Sequence, residues 1–203
     1  MILVAAAAIF FASIAFIGVW LSGVVCADIV PADDGPAPGK PPSVALIAAS
    51  GVLGGILVAS GAQPLQLGIG AIVLFALVAC WCSDATCGIV PDVFTLPPLA
   101  LLLFFAIAHQ DWGVIASAAI TFVPFAGAAL FTRGYGMGWG DAKLVALTGA
   151  VLGAPLGAFA LAVACAVAVI VHRFGKVRHA PIAFAPYIAA FTGVALPLGL
   201  VAR

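Results

Sequence analysis

Charged side chains are scarce in this chain of 203 residues, and glutamate is absent. Only 7% of the residues are charged and 66% are hydrophobic, whereas about a quarter of the residues of a soluble domain are charged. With a mean hydropathy of +1.32, the chain has too few polar residues to build a large soluble domain. The composition therefore predicts an integral membrane protein.

The charges that are present balance, because seven Lys and Arg residues stand against seven Asp residues. A net charge of zero gives no reason to expect nucleic acid as a partner. The cysteines lack the CxxC pairs of a structural zinc site, so we expect no metal and interpret most of them as small hydrophobic residues of the core. They are Cys26, Cys80, Cys82, Cys87 and Cys165.

Apolar runs that are candidates for bilayer spans fill most of the chain. They cover residues 1–25, 43–60, 67–82, 93–109, 113–131, 142–153, 156–172 and 181–201. Because backbone polar groups inside a bilayer must be satisfied by the protein, we predict an all-α bundle of about eight transmembrane helices in one domain, residues 1–203. One alternative stays open, because the short run 142–153 could be the bent half of a longer helix.

The positions of Lys and Arg orient the predicted bundle. With eight helices, six of the seven Lys and Arg residues fall on one face of the membrane and only Arg203 falls on the other. The positive-inside rule assigns the larger group to the cytoplasm, so both termini are expected outside. Residues 1–25 lack the basic start of a signal peptide and are expected to be a retained span. Residues 27–42 are expected to form a short cytoplasmic loop.

Two aspartates, Asp84 and Asp141, stand at the edges of apolar runs on the same predicted face. Two carboxyl groups that converge among apolar helices repel each other when both are ionised, so their proton affinities should separate. One can then activate a water molecule while its protonated partner polarises a carbonyl group, as in aspartic proteases. This chemistry needs no cofactor.

Each aspartate alone has a simpler explanation. Asp141 could cap a helix that begins at Ala142, and Asp84 could be an ordinary loop residue at the membrane interface. Asp92, directly after Pro91, is typical of a turn. The two aspartates therefore gain their significance as a pair.

Lys143 lies two residues after Asp141, and two roles are open for it. It could favour the ionised form of that carboxyl group, or it could anchor its helix among lipid headgroups. His109 and Asp111 fall on the opposite predicted face, so we do not expect them in the same site.

Three ordered segments resemble the type IV prepilin peptidases of bacteria. Asp84 is followed seven positions later by Pro91 and then by residues 92–97, which resembles the first active-site segment of that family. Residues 136–144 resemble its Gly-x-Gly-Asp motif, and residues 180–187 resemble the Pro- and Phe-containing segment before its last helix. The resemblance implies that Asp84 and Asp141 are the catalytic pair. It also implies supporting roles for Pro91, Gly138, Gly140, Lys143, Phe184 and Pro186.

The same resemblance implies a substrate and a location. Members of the family remove the leader peptide from pilin or pseudopilin precursors, at the cytoplasmic face of the bacterial inner membrane. Long members also methylate the new N-terminus and carry a domain with CxxC pairs, for which residues 27–42 are too short, so methylation is not expected here. Two other functions stay open, an ion-coupled transporter that uses the paired aspartates and a presenilin-like intramembrane protease, which shares the Gly-x-Gly-Asp feature.

Overall fold

The computed structural model describes residues 1–29, 43–133, 137–174 and 183–201, and these fold into eight α-helices. The helices are α1 (Ile2–Ile29), α2 (Ser43–Ala59), α3 (Pro64–Cys87), α4 (Asp92–Ala108), α5 (Trp112–Phe131), α6 (Trp139–Leu152), α7 (Ala154–Phe174) and α8 (Ala185–Val201). These ranges contain no β-strand. The predicted all-α fold is confirmed, whereas most of the predicted cytoplasmic loop lies outside the described residues.

The exterior of the bundle is apolar. Large hydrophobic side chains are exposed on all eight helices, among them Phe10 on α1, Phe104 on α4 and Phe159 on α7. Four of the helices, α1, α3, α5 and α7, are long and apolar enough to cross a membrane. The structure therefore supports a membrane-embedded helical bundle, while the number of spans and their orientation stay predictions.

Two helices form the interior of the bundle. α3 packs against α1, α2, α4 and α8, and 12 of its 24 residues are buried. α6 has only 14 residues, of which ten are buried, because α4, α5, α7 and α8 surround it. A helix enclosed by protein need not match the thickness of the bilayer, which explains why α6 is shorter than an ordinary span.

Gly153 separates α6 from α7. It therefore answers whether residues 142–153 form a helix of their own or the bent half of a longer helix. Its φ of 79° lies in a region that glycine adopts more readily than other residues. Beyond this residue α7 turns back along α6, so that a Cβ on Gly157 would lie 3.4 Å from the backbone of Gly149. The structure thus has two packed helices here, as predicted, and not one bent helix.

Polar side chains link some of the buried helices. The hydroxyl groups of Thr148 on α6 and Thr192 on α8 lie 2.9 Å apart, and both residues are fully buried. Thr121 on α5 donates to the carbonyl oxygen of Val145 on α6 at 3.2 Å. Interhelical hydrogen bonds of this kind stabilise helix association where no hydrophobic effect acts between the helices.

Candidate active site

The last turn of α3 carries Asp84. The predicted apolar run ended at residue 82, because polar residues follow it, but the helix continues to Cys87. Gly88 ends it with a φ of 66°, and its N–H donates to the backbone oxygen of Asp84 at 3.0 Å. The interpretation of Asp84 as a loop residue is therefore wrong.

The carboxylate of Asp84 is bound by another helix. Its Oδ2 accepts a hydrogen bond of 3.0 Å from the backbone N–H of Ala185, the first residue of α8. The end of α3 disfavours a negative charge, whereas the start of α8 favours one. The side chain is only 8% exposed, so this bond satisfies a buried donor and a buried acceptor together.

Asp141 lies in the first turn of α6. The helix begins at Trp139 and not at Ala142, and its N-cap is Gly138. The interpretation of Asp141 as the N-cap residue is therefore wrong, because Asp141 is already the third residue of the helix. A negative charge in the first turn is favoured by the helix dipole.

The two oxygens of Asp141 have different surroundings. Oδ2 lies beside Gly138, where a Cβ would approach it to 3.1 Å. Oδ1 is buried and accepts no hydrogen bond from any residue in the described part of the chain. A buried carboxylate oxygen without a protein donor is costly, and such atoms are concentrated at functional sites.

The two carboxyl groups lie at the same end of the bundle. α3 and α6 contact each other, and the Asp84 and Asp141 side chains are close enough to interact electrostatically. Both also lie within electrostatic range of the buried Cys80 thiol. The structure thus places two acids that are 57 positions apart in the sequence at one end of the bundle.

The connection between α3 and α4 supports the first turn of α6. A Cβ on Gly140 would lie 2.7 Å from both the Cβ and the carbonyl oxygen of Val90, so only glycine permits this approach. Pro91 is buried and is the N-cap of α4. Gly140 and Pro91, both singled out in the sequence, therefore lie on the two sides of this contact.

Lys143 pairs with Asp92, the first residue of α4. The sequence suggested two roles for Lys143, an interaction with the Asp141 carboxylate or with lipid headgroups. Neither role predicted the pairing with Asp92. Asp92 belongs to the helix and not to a turn.

The family model of the type IV leader peptidases matches residues 71–172, just over half of the chain. The protein belongs to the type IV leader peptidase family. Comparisons with curated proteins and with solved structures gave no match. The predicted family is confirmed, and with it a leader peptidase-like protease. Both Asp84 and Asp141 lie within the matched residues.

Phe184 and Pro186 lie at the start of α8, outside the residues matched by the family model. The Phe184 ring stacks on Phe125 of α5 at a centroid distance of 6.5 Å, and Pro186 is half-buried in the first turn of α8. They flank Ala185 in the sequence, the residue whose N–H binds Asp84.

His109 and Asp111 lie at the other end of the bundle, as expected. Both line a cavity with Gln66, near the start of α3, and Leu200, near the end of α8. The Asp111 carboxylate accepts from the N–H of Val114 at 3.4 Å and caps α5. Asp111 has a structural role and takes no part in the site at Asp84.

The cysteines differ partly from the prediction. Cys80 and Cys82 are buried in the core, as expected, but Cys26 near the end of α1 and Cys87 at the end of α3 lie side by side with their sulfur atoms in contact. The sequence feature that could have predicted this contact is the position of both cysteines near the ends of apolar runs, on the same predicted face of the membrane. Among the described residues no three His, Cys or acidic side chains are grouped as a metal site requires.

Proposed function

We propose that this protein is an aspartic endopeptidase that removes the leader peptide from type IV pilin or pseudopilin precursors. Asp84 and Asp141 are the catalytic pair. The observation that supports the proposal is that the last turn of α3 and the first turn of α6 place Asp84 and Asp141 at the same end of the bundle, within electrostatic range of each other. Membership of a leader peptidase family supplies the class of substrate.

The reaction needs only the two carboxyl groups and a water molecule. The ionised carboxylate takes a proton from the water molecule while the water oxygen attacks the carbonyl carbon of the peptide bond. At the same time the protonated carboxyl group donates its proton to the carbonyl oxygen. The tetrahedral intermediate then breaks its C–N bond, and the leaving nitrogen takes a proton from the pair. The Oδ1 of Asp141 supports this assignment, because no described residue donates to it and it has the capacity to bind the attacking water.

The site is proposed to lie near the cytoplasmic face of the bacterial inner membrane. The reason is the distribution of Lys and Arg over the predicted connections, six of seven on the face that carries both aspartates. A substrate whose leader precedes a hydrophobic segment would place its cleavage site at this boundary. A glycine stands directly beyond the end of α3 and another directly before the start of α6, and such breaks permit a polar cavity next to lipid.

The test is co-expression with candidate precursors, followed by measurement of leader removal and of the mass of the product. We expect cleavage by the wild type, a loss of at least about a hundredfold in Asp84→Asn and Asp141→Asn, and only a few-fold loss in Asp92→Asn. Equal loss in all three variants would contradict the assignment of roles. Cleavage at a bond inside the hydrophobic segment would instead indicate a presenilin-like intramembrane protease.

An ion-coupled transporter is the alternative function, because paired acids within a membrane bundle also bind protons or cations. Proteoliposomes that contain the protein distinguish the two. Ion-coupled solute flux without processing of any precursor would favour transport, whereas leader removal without flux favours the peptidase.

A further inference from the structure

The ion pair between Lys143 and Asp92 joins the fifth residue of α6 to the first residue of α4. It is the only ion pair formed within the described residues. The two residues are 51 positions apart, and their side chains are 25% and 56% exposed. A partly exposed pair contributes little to stability, typically up to about 1 kcal/mol. Its position relative to the two catalytic candidates is therefore more informative than its strength.

The ion pair acts on the same turn as the contact between Gly140 and Val90. In the sequence these two attachment points flank Asp141, with Gly140 immediately before it and Lys143 two residues after it. Gly140 contacts Val90 in the connection between α3 and α4, and Lys143 contacts Asp92, the first residue of α4. The connection begins directly beyond the last turn of α3, where Asp84 lies. The connection thus fixes the first turn of α6 relative to both helices of the site.

We propose that Lys143 and Asp92 are a positioning pair that holds the first turn of α6 so that Asp141 faces Asp84. This inference rests on the proposed function. Lys143 bonds to Asp92 and not to either catalytic candidate, so it acts through geometry and not as a proton donor. Small displacements of a catalytic group lower rates strongly, so even a weak pair at this place affects turnover, and repulsion in its place lowers turnover further.

Exchange of the two charges tests this proposal. The variant Asp92→Lys places two cations opposite each other, and Lys143→Asp places two acids opposite each other. Because each pair repels, we expect each single variant to lower kcat at least about tenfold, with KM changed less than about threefold. The double variant Asp92→Lys/Lys143→Asp restores the attraction and should recover most of the lost kcat. Asp92→Asn removes the attraction without repulsion and should lose only a few-fold.

The matched control is Arg173→Asp, a charge reversal at an exposed position at the end of α7. It should leave kcat unchanged. A double variant no better than the worse single variant, or single variants that cleave at the wild-type rate, would overturn the proposal. Loss of kcat in the Arg173 control as well would also overturn it, because the effect would then follow from charge alone.

Hydrogen exchange separates this proposal from the proposed function. Amides in the first turn of α6 should exchange faster in each single variant and return to the wild-type rate in the double variant, while those in the first turn of α5 should stay constant. If this exchange pattern is found but the protein cleaves no precursor, the proposal of a positioning pair stands and the proposed peptidase function does not. An active wild type whose single variants show unchanged exchange would reject the positioning pair and retain the peptidase.

Discussion

Asp84 and Asp141 reach the same site from opposite kinds of helix end. Asp84 is in the last turn of a long, central helix, and its carboxylate is fixed by the N–H of Ala185. Asp141 is in the first turn of a short helix, and one of its oxygens has no donor among the described residues. The first acid is held by its own hydrogen bond, whereas the second is held by the packing of its helix.

This difference predicts which neighbours matter for each acid. The position of Asp84 depends on α8, through one buried hydrogen bond. The position of Asp141 depends on the connection between α3 and α4, through the glycine contact at Val90. Substitutions that disturb only the hydrogen bond to Asp84, or only the glycine contact near Asp141, therefore show which acid depends on which contact.

Among substitutions of the residues that support the two acids, the largest effect is expected from Gly140→Ala. The new Cβ would meet Val90 at 2.7 Å, so the first turn of α6 must shift and Asp141 with it. We expect leader cleavage to fall by about tenfold to a hundredfold, measured as the initial rate with purified protein. Gly127→Ala in α5, where a Cβ meets no atom within 4 Å, is the control and should keep the wild-type rate.

Much of this architecture follows from the sequence. Composition and hydropathy predict the helices, because backbone groups in a bilayer leave few alternatives, and the glycine-rich segment before Asp141 indicates a close approach. The donor to Asp84 was not predictable, since every residue except proline has a backbone N–H and nothing marks Ala185. The partner of Lys143 was missed for a related reason, because pairing across 51 positions depends on how α4 and α6 pack.

A second prediction compares Asp84→Ala with Asp84→Asn. Alanine removes the acceptor of the buried Ala185 N–H, which should cost about 1–3 kcal/mol in the free energy of unfolding. Asparagine retains an acceptor oxygen and should cost clearly less. Thermal unfolding in detergent measures both.

Asp141 provides the matched comparison for this stability experiment. Its Oδ1 makes no hydrogen bond within the described structure, so Asp141→Ala and Asp141→Asn should differ less from each other in Tm than the two Asp84 variants do. An equal difference at both positions would mean that the two acids are held in the same way.

The smallest effect is expected from Thr192→Val, which acts on α8 away from the site. It removes the hydroxyl contact with Thr148, while the Thr148 hydroxyl still donates to the carbonyl oxygen of Leu144 at 3.1 Å. We expect a loss of about 1 kcal/mol in unfolding free energy and an unchanged rate of leader cleavage. A fall in that rate would show that Asp84 depends on the whole of α8 and not on its first turn alone.

The most direct test of the central claim, that Asp84 and Asp141 act as one catalytic unit, is the initial rate of precursor cleavage in Asp84→Asn, Asp141→Asn and the double variant. Groups that act as a unit have non-additive effects. We therefore expect each single variant to lose at least about a hundredfold and the double variant to be no slower than the slower single one. Losses that multiply in the double variant, or a single variant that retains the wild-type rate, would contradict the claim.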